Sequence, residues 1–179
     1  MNRMTFAACV MLWAGNGIAG EYWGVGSEPS QDADGAQVGG MFAFDLGGQE
    51  FGATTRKTWI YTIQVKEFQV VHFDGVFVTF QCDKPELTVL RSSAVDPRSL
   101  EITSDFALDE PIVSSVGPDT FFGRALTFLC SQQAGQPVNL EHAWDFHRFK
   151  GDGFGALKTM VGKYVTLLKR AKASPPATP

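Results

Sequence analysis

Apolar and polar residues alternate along much of the first two thirds of the chain, a pattern that predicts β-strands. The alternation is clearest from Arg56 to Val65, and it returns from Val76 to Cys82 with the cysteine on the apolar side. Because successive side chains of a strand point to opposite faces, each segment is predicted to bury one face. Shorter alternating runs at Tyr22 to Gly26 and Met41 to Phe44 predict two further strands.

Turns that contain proline divide the middle of the chain into an antiparallel meander. Residues 83–86 and 96–99 are turn-forming tetrads, because proline fixes its own φ and cannot donate a ladder hydrogen bond. Glu86 to Ala94 is predicted to be the return strand, and the alternation from Leu100 to Phe106 predicts the next one. The prolines between Pro111 and Pro118 are expected to end that pattern.

Two later segments carry the helical spacing of three and four residues. Apolar positions from Phe122 to Cys130 predict a helix of about three turns, and those from Ala156 to Lys172 predict a second, amphipathic helix. We therefore expect an α+β fold, in which an antiparallel β-sheet meander carries a packed α-helix, with an additional C-terminal amphipathic helix.

The start of the chain predicts export. Arg3 is followed by an apolar run from Met4 to Trp13, which is too short to span a bilayer as a helix but suits a cleaved signal peptide. We expect residues 1–20 to be removed and the protein to reach the periplasm or the cell surface. A lipid anchor on Cys9 is the alternative, and it is disfavoured because most of the apolar run follows that cysteine.

Two cysteines remain after the leader, and an even pair in an oxidising compartment predicts a disulfide between Cys82 and Cys130. Two unpaired buried cysteines are the alternative. The bridge would join the first helix to the sheet. The predicted organisation is a β-rich domain at 21–132, a linker at 133–155, a basic helix at 156–172 and a disordered tail at 173–179.

Several short segments stand in a characteristic order. They are Tyr22-Trp23-Gly24-Val25-Gly26, Arg56-Lys57-Thr58-Trp59, Phe80-Gln81-Cys82, Leu87-Thr88-Val89-Leu90-Arg91, Glu110-Pro111-Ile112 and Phe128-Leu129-Cys130. Together they resemble the surface-adhesin protein E family of small exported bacterial domains. The similarity covers about Tyr22 to Cys130; the turn at 96–98 departs from it, and the helix at 156–172 is extra.

This resemblance implies an antiparallel sheet with a packed helix, a periplasmic or surface location, formation of a homodimer, and adhesion to host matrix proteins. It implies no catalytic residues. Sheet edges and exposed aromatic side chains, Tyr22, Trp23 and Phe42 among them, are then expected to contact a protein partner.

Candidate chemistry is sparse. His142, Asp145 and His147 have metal-ligand side chains, but their spacing does not suit one face of a helix and no cysteine lies nearby. We find no Ser-His-Asp or Cys-His arrangement in a nucleophile context and no phosphate-binding glycine loop. We therefore expect no metal, no cofactor and no enzymatic activity.

Charge is segregated along the chain. The last helix carries Lys158, Lys163, Lys169, Arg170 and Lys172, whereas all 19 acidic residues precede it. The helix could simply expose these cations to water, bind an anionic membrane surface, or pair with another chain. Two functions stay open: a binding or adhesion module, and a periplasmic envelope-associated protein held by this helix. Nucleic acid is disfavoured by the net charge of −4 and by export.

Overall fold

The computed structural model describes residues 19–152 and 154–173, so the predicted leader lies outside it except for Ala19 and Gly20, and so does the predicted tail except for Ala173. The strands are β1 (Ala19–Gly26), β2 (Ser30–Gln31), β3 (Gln37–Asp45), β4 (Glu50–Phe51), β5 (Thr55–Lys66), β6 (Gln69–Gln81), β7 (Glu86–Val95), β8 (Ile102–Ser115) and β9 (His147–Asp152). The helices are α1 (Phe121–Cys130) and α2 (Gly155–Ala173).

Within the described ranges the nine strands form one antiparallel sheet in the order β8-β7-β6-β5-β3-β1-β9. The two-residue strands β2 and β4 pair with β3 and β5. Neighbours in sequence are mostly neighbours in the sheet, as short hairpin connections favour. The predicted α+β meander with one packed helix and a C-terminal helix is confirmed.

The two helices lie on opposite faces of the sheet. Thr58 and Ile60 of β5 are buried on the α1 face, where Ile60 joins the same apolar cluster as Phe128. Tyr61 and Ile63 are buried on the α2 face. The prediction that this strand buries only one face is wrong, because each helix covers the sheet on its own side.

Helix α1 begins at a polar cap and ends at the disulfide. The hydroxyl of Thr120 accepts a hydrogen bond from the backbone N–H of Gly123 at 3.1 Å, which satisfies an otherwise unpaired donor of the first turn. Phe128 is fully buried against the sheet. Cys130 at the last turn is bonded to Cys82 after β6, with a Cα–Cα distance of 5.6 Å. The predicted disulfide is therefore present and joins α1 to the sheet.

Helix α2 packs closely on positions of the sheet that carry no side chain. A Cβ on Gly26 or on Gly39 would overlap the side chain of Tyr164. The Tyr164 hydroxyl donates a hydrogen bond to the carbonyl of Ser27 at 2.9 Å, beyond the end of β1. Glycine is needed at these two positions because any larger residue would push the helix away from the sheet.

Strand β8 is longer than predicted. The sequence pattern suggested an interruption from Pro111, yet the strand continues to Ser115. A register shift between Val89 and Arg91 of β7 takes up the extra residues of β8 around the proline. Because β8 is an outer strand, the missing N–H of Pro111 does not break the sheet.

The segment predicted to be a linker, 133–155, contains a strand. Residues 147–152 form β9, which pairs with β1 from Gly24↔His147 to Ala19↔Asp152. Just before it, Phe146 is only 5 % exposed and belongs to the α1-side core. The strand was missed because its sequence, His-Arg-Phe-Lys-Gly-Asp, has one large apolar residue and no alternation to detect.

Candidate binding surfaces

Strand β8 lies at one edge of the sheet and is open to solvent along its length. Every residue of it is exposed except Leu108, which is half-buried. No β8 residue belongs to either apolar cluster, so the helices cover the sheet only as far as β7. An outer strand of this kind presents its outward backbone N–H and C=O groups to water or to another chain.

Apolar side chains accompany this free edge. Ile102, Phe106, Ile112 and Val113 are each more than half exposed, between 54 and 64 %. Exposed edges with apolar residues tend to pair with other strands unless charge or irregular geometry prevents it. β8 therefore combines main-chain hydrogen-bonding groups with apolar surface in one place.

The same strand is acidic. Asp105, Asp109 and Glu110 lie on β8, and the strand has no basic residue. Asp105 forms an ion pair with Arg91 of β7 at 2.7 Å, while Asp109 and Glu110, next to Pro111 in sequence, fall in the register shift and are not paired with residues of β7. Acidic side chains and an irregular segment disfavour pairing of this edge with an identical edge.

The opposite edge of the sheet, β9, is basic and shorter. Glu21 on β1 holds this strand: its carboxylate is 2.8 Å from the Arg148 guanidinium and 3.9 Å from the Lys150 ammonium. The same carboxylate accepts a hydrogen bond from the Trp23 indole at 3.0 Å. Burial raises the pKa of Glu21, but the hydrogen bonds from Arg148 and Trp23 outweigh it, and the pKa lies below its usual value.

Helix α2 buries its apolar side on the sheet and turns its cations outward. Leu157, Met160, Tyr164 and Leu168 are buried, whereas the five basic side chains identified from the sequence are exposed. Within the described residues, one of these five cations forms an ion pair: the Lys172 ammonium lies 3.3 Å from the Glu67 carboxylate. Apart from Leu167, which is 56 % exposed, the large apolar side chains of α2 are covered, so a membrane would meet mainly the basic side.

Of the three aromatic residues expected to contact a partner, two are buried and one is half-buried. Tyr22 and Trp23 are each 4 % exposed, on opposite faces of β1. Phe42 is half-buried and stacks on Phe121 of α1 with ring centroids 4.7 Å apart. The expectation of exposure is wrong for Tyr22 and Trp23, because α1 and α2 cover both sides of this part of the sheet.

The histidine-containing segment shows no cluster of three metal-ligand side chains. In residues 19–152 and 154–173, no three histidine, cysteine or acidic side chains converge on one point. Asp145 bonds instead to Arg124 at 3.0 Å, and the His142 imidazole lies 3.9 Å from the Glu141 carboxylate. His147 is the first residue of β9.

An apolar groove of about 410 Å³ separates the outer side of α2 from β1 and β9. Its walls include Phe149 of β9 and Met160 and Leu167 of α2. Lys163 of α2 also lines the groove. The Lys163 ammonium lies 5.2 Å from the centre of the Phe149 ring. This groove adjoins the basic edge of the sheet.

The β8 edge was not recognised from the sequence as a candidate site. Its alternation from Leu100 to Phe106 is the same as that of a half-buried strand. The available signal was the combination of interleaved acids with Pro111, which is typical of outer strands.

None of the helices in the described residues is both long and apolar enough to cross a membrane. Comparisons with protein-family models, with curated proteins and with solved structures find no match.

Proposed function

We propose that this chain is an exported, non-catalytic binding module that takes an extended segment of a protein partner onto β8. The observation that carries the proposal is a 14-residue outer strand exposed along nearly its whole length. A partner strand would hydrogen-bond to the outward backbone groups, as in other cases of strand addition.

The side chains of β8 favour a particular kind of partner. Phe106 and Asp105 are adjacent and point to opposite faces of the strand, so Phe106 would meet an apolar residue of an added strand and Asp105 a basic one. The partner segment is therefore an extended one with alternating apolar and basic residues. A host matrix protein is the partner class that the family resemblance implies, with the module in the periplasm or at the cell surface.

A designed peptide tests this directly. The probe is a fluorescent octapeptide of alternating lysine and valine, and the control replaces each lysine with glutamate. We expect the basic peptide to bind and to shift the NMR amide signals of residues 102–107. Equal binding of both peptides, or shifts confined to other strands, would contradict the proposal.

Two neighbouring proline variants supply the matched control. The N–H groups of adjacent residues in a strand point to opposite sides, and proline has no N–H. Of the two variants Ser104→Pro and Asp105→Pro, one therefore loses a hydrogen-bond donor that points outward, and the other loses a hydrogen bond to β7. We expect one variant to lose peptide binding at unchanged thermal stability and the other to lose stability. Binding that persists in the stable variant would argue against strand addition.

Attachment to an anionic surface through α2 is a second candidate function, favoured by its five outward cations. A lysine near an anionic membrane contributes about 1 kcal/mol, so Lys158→Gln/Lys169→Gln should weaken binding to phosphatidylglycerol vesicles about 30-fold. The control, Lys57→Gln/Lys84→Gln, removes the same charge elsewhere and should have little effect. Equal losses in both variants would show that only net charge matters.

A further inference from the structure

We propose that the strand received by β8 is β9 of a second copy of this chain, so that copies add head to tail. This inference rests on the proposed function, because it takes β8 to be an edge that accepts a strand. It also names the partner, and the argument comes from the charge, length and surroundings of the two edges.

The two edges of the sheet are complementary in charge. β8 carries Asp105, Asp109 and Glu110, whereas β9 carries Arg148 and Lys150 and one acid, Asp152, as its last residue. Pairing β8 with β8 would bring acids together, and pairing β9 with β9 would bring bases together, each of which is unfavourable. Among the described strands, the basic edge that suits β8 is therefore the other end of the same sheet.

β9 is long enough to cover the regular part of β8. Between its register shifts near Ile102 and around Pro111, β8 pairs with β7 without interruption through residues 104–107, and β9 has six residues, His147–Asp152. An antiparallel register can set Asp105 of one copy opposite Lys150 of the next. Arg148, two residues before Lys150 on β9, then lies on the same face of the joined sheet as this pair. The acid of one copy would then meet both cations of the next.

The same register accounts for the exposed ring of Phe106. It sets Phe106 opposite Phe149, which forms part of the apolar groove beside α2. Leu167, 56 % exposed, and Met160 line the same groove. A ring that is more than half exposed in one copy would thus lie against apolar side chains of the next.

The position of the edges decides the form of the assembly. Because β8 and β9 are at opposite ends of one sheet, each copy would keep a free β8 at one end and a free β9 at the other. Contacts of this heterologous kind produce open chains unless the rotation between copies happens to close a ring.

Charge exchange at one pair tests the inference. Asp105→Lys gives up the exposed ion pair with Arg91, and Lys150→Glu leaves the closer Arg148–Glu21 pair in place, so neither change should unfold the protein. The purified chain, both single variants, their equimolar mixture and the double variant are compared by sedimentation velocity over a range of concentrations. Circular dichroism checks that each is folded.

We expect the unaltered chain to associate with rising concentration, and each single variant to associate about tenfold more weakly because like charges now face one another. The mixture and the double variant should regain association, since both restore opposite charges across the contact. Single variants that associate like the unaltered chain, or a double variant that fails to recover, would overturn this pairing.

The result also separates this inference from the proposed function. If the unaltered chain stays monomeric at every concentration but the lysine–valine peptide binds β8, then self-pairing is overturned while strand addition stands. If the peptide also fails to bind, both are overturned.

Discussion

The contact between α2 and Gly39 allows a quantitative test of how the C-terminal helix is held. A Cβ at position 39 would overlap the Tyr164 hydroxyl, while its next neighbours would be Tyr164 Cζ at 3.1 Å and Leu168 Cδ2 at 3.2 Å. Gly39→Ala should therefore cost about 1–3 kcal/mol from overpacking, less about 0.4–1 kcal/mol from the reduced entropy of the unfolded chain. A net loss of about 1–2 kcal/mol is expected.

Removal of the hydroxyl should relieve most of that loss. Tyr164→Phe alone gives up the hydrogen bond to the Ser27 carbonyl and should cost about 1 kcal/mol. In a protein that already carries Tyr164→Phe, the remaining neighbours of the methyl group added at position 39 need to move only a few tenths of an ångström. Gly39→Ala should then lower the free energy of unfolding by less than about 0.5 kcal/mol. The two changes should therefore be coupled by about 1 kcal/mol.

Urea unfolding of the four proteins in this cycle measures the coupling. The control is Gly40→Ala in the same strand, where a Cβ would find its nearest neighbour, the Ile63 carbonyl, at an ordinary 3.7 Å. This variant should lie within about 0.5 kcal/mol of the unaltered chain. Additivity of Gly39→Ala and Tyr164→Phe within about 0.3–0.5 kcal/mol would refute the close contact between helix and sheet.

Three further predictions concern the disulfide, a buried acid and a tight turn. Replacing both Cys82 and Cys130 by alanine opens a loop of sequence separation 48 and should lower the free energy of unfolding by about 4 kcal/mol in urea; a loss below about 1 kcal/mol would mean that packing alone holds α1. Burial raises the pKa of Asp45 above 3.8, so its stabilising protonated form is lost as pH rises through the raised pKa. As pH rises through that range, the free energy of unfolding of Asp45→Asn should therefore increase relative to that of the unaltered chain. A difference between the two proteins that does not change with pH would contradict this. Phe68 has φ +67° in the β5–β6 turn, so Phe68→Gly should be about 1 kcal/mol more stable than Phe68→Ala in thermal unfolding, and the reverse order would contradict the strain.

Much of the fold follows from local pattern. Strand β5 and the second half of β6 were predicted because alternation reports the two-residue repeat of a strand, and both helices because three- and four-residue spacing reports one helical face. The alternation from Val76 to Cys82 also placed the cysteine on the inner side, which is where the disulfide to Cys130 forms. These features depend on neighbours in sequence, so the chain alone indicates them.

Other features depend on which strands become neighbours. β9 has too little alternation to be detected, and it forms because Glu21 and the edge of β1 hold it in place. Tyr22 and Trp23 have the pattern of a strand with one exposed face, yet both are buried because β9 and the two helices enclose β1. No local signal distinguishes a central strand from an outer one when their side chains are alike.

The candidate binding surface shows the same division. The sequence by itself determined that a strand follows the turn at 96–99 and that acids accompany it, along with a basic helix at the end of the chain. Only the tertiary structure decided that this strand, β8, is an outer one and that the opposite edge is basic. The physical reason is that the order of strands in a sheet comes from non-local hydrogen bonding and from helix packing, which no run of neighbouring residues encodes.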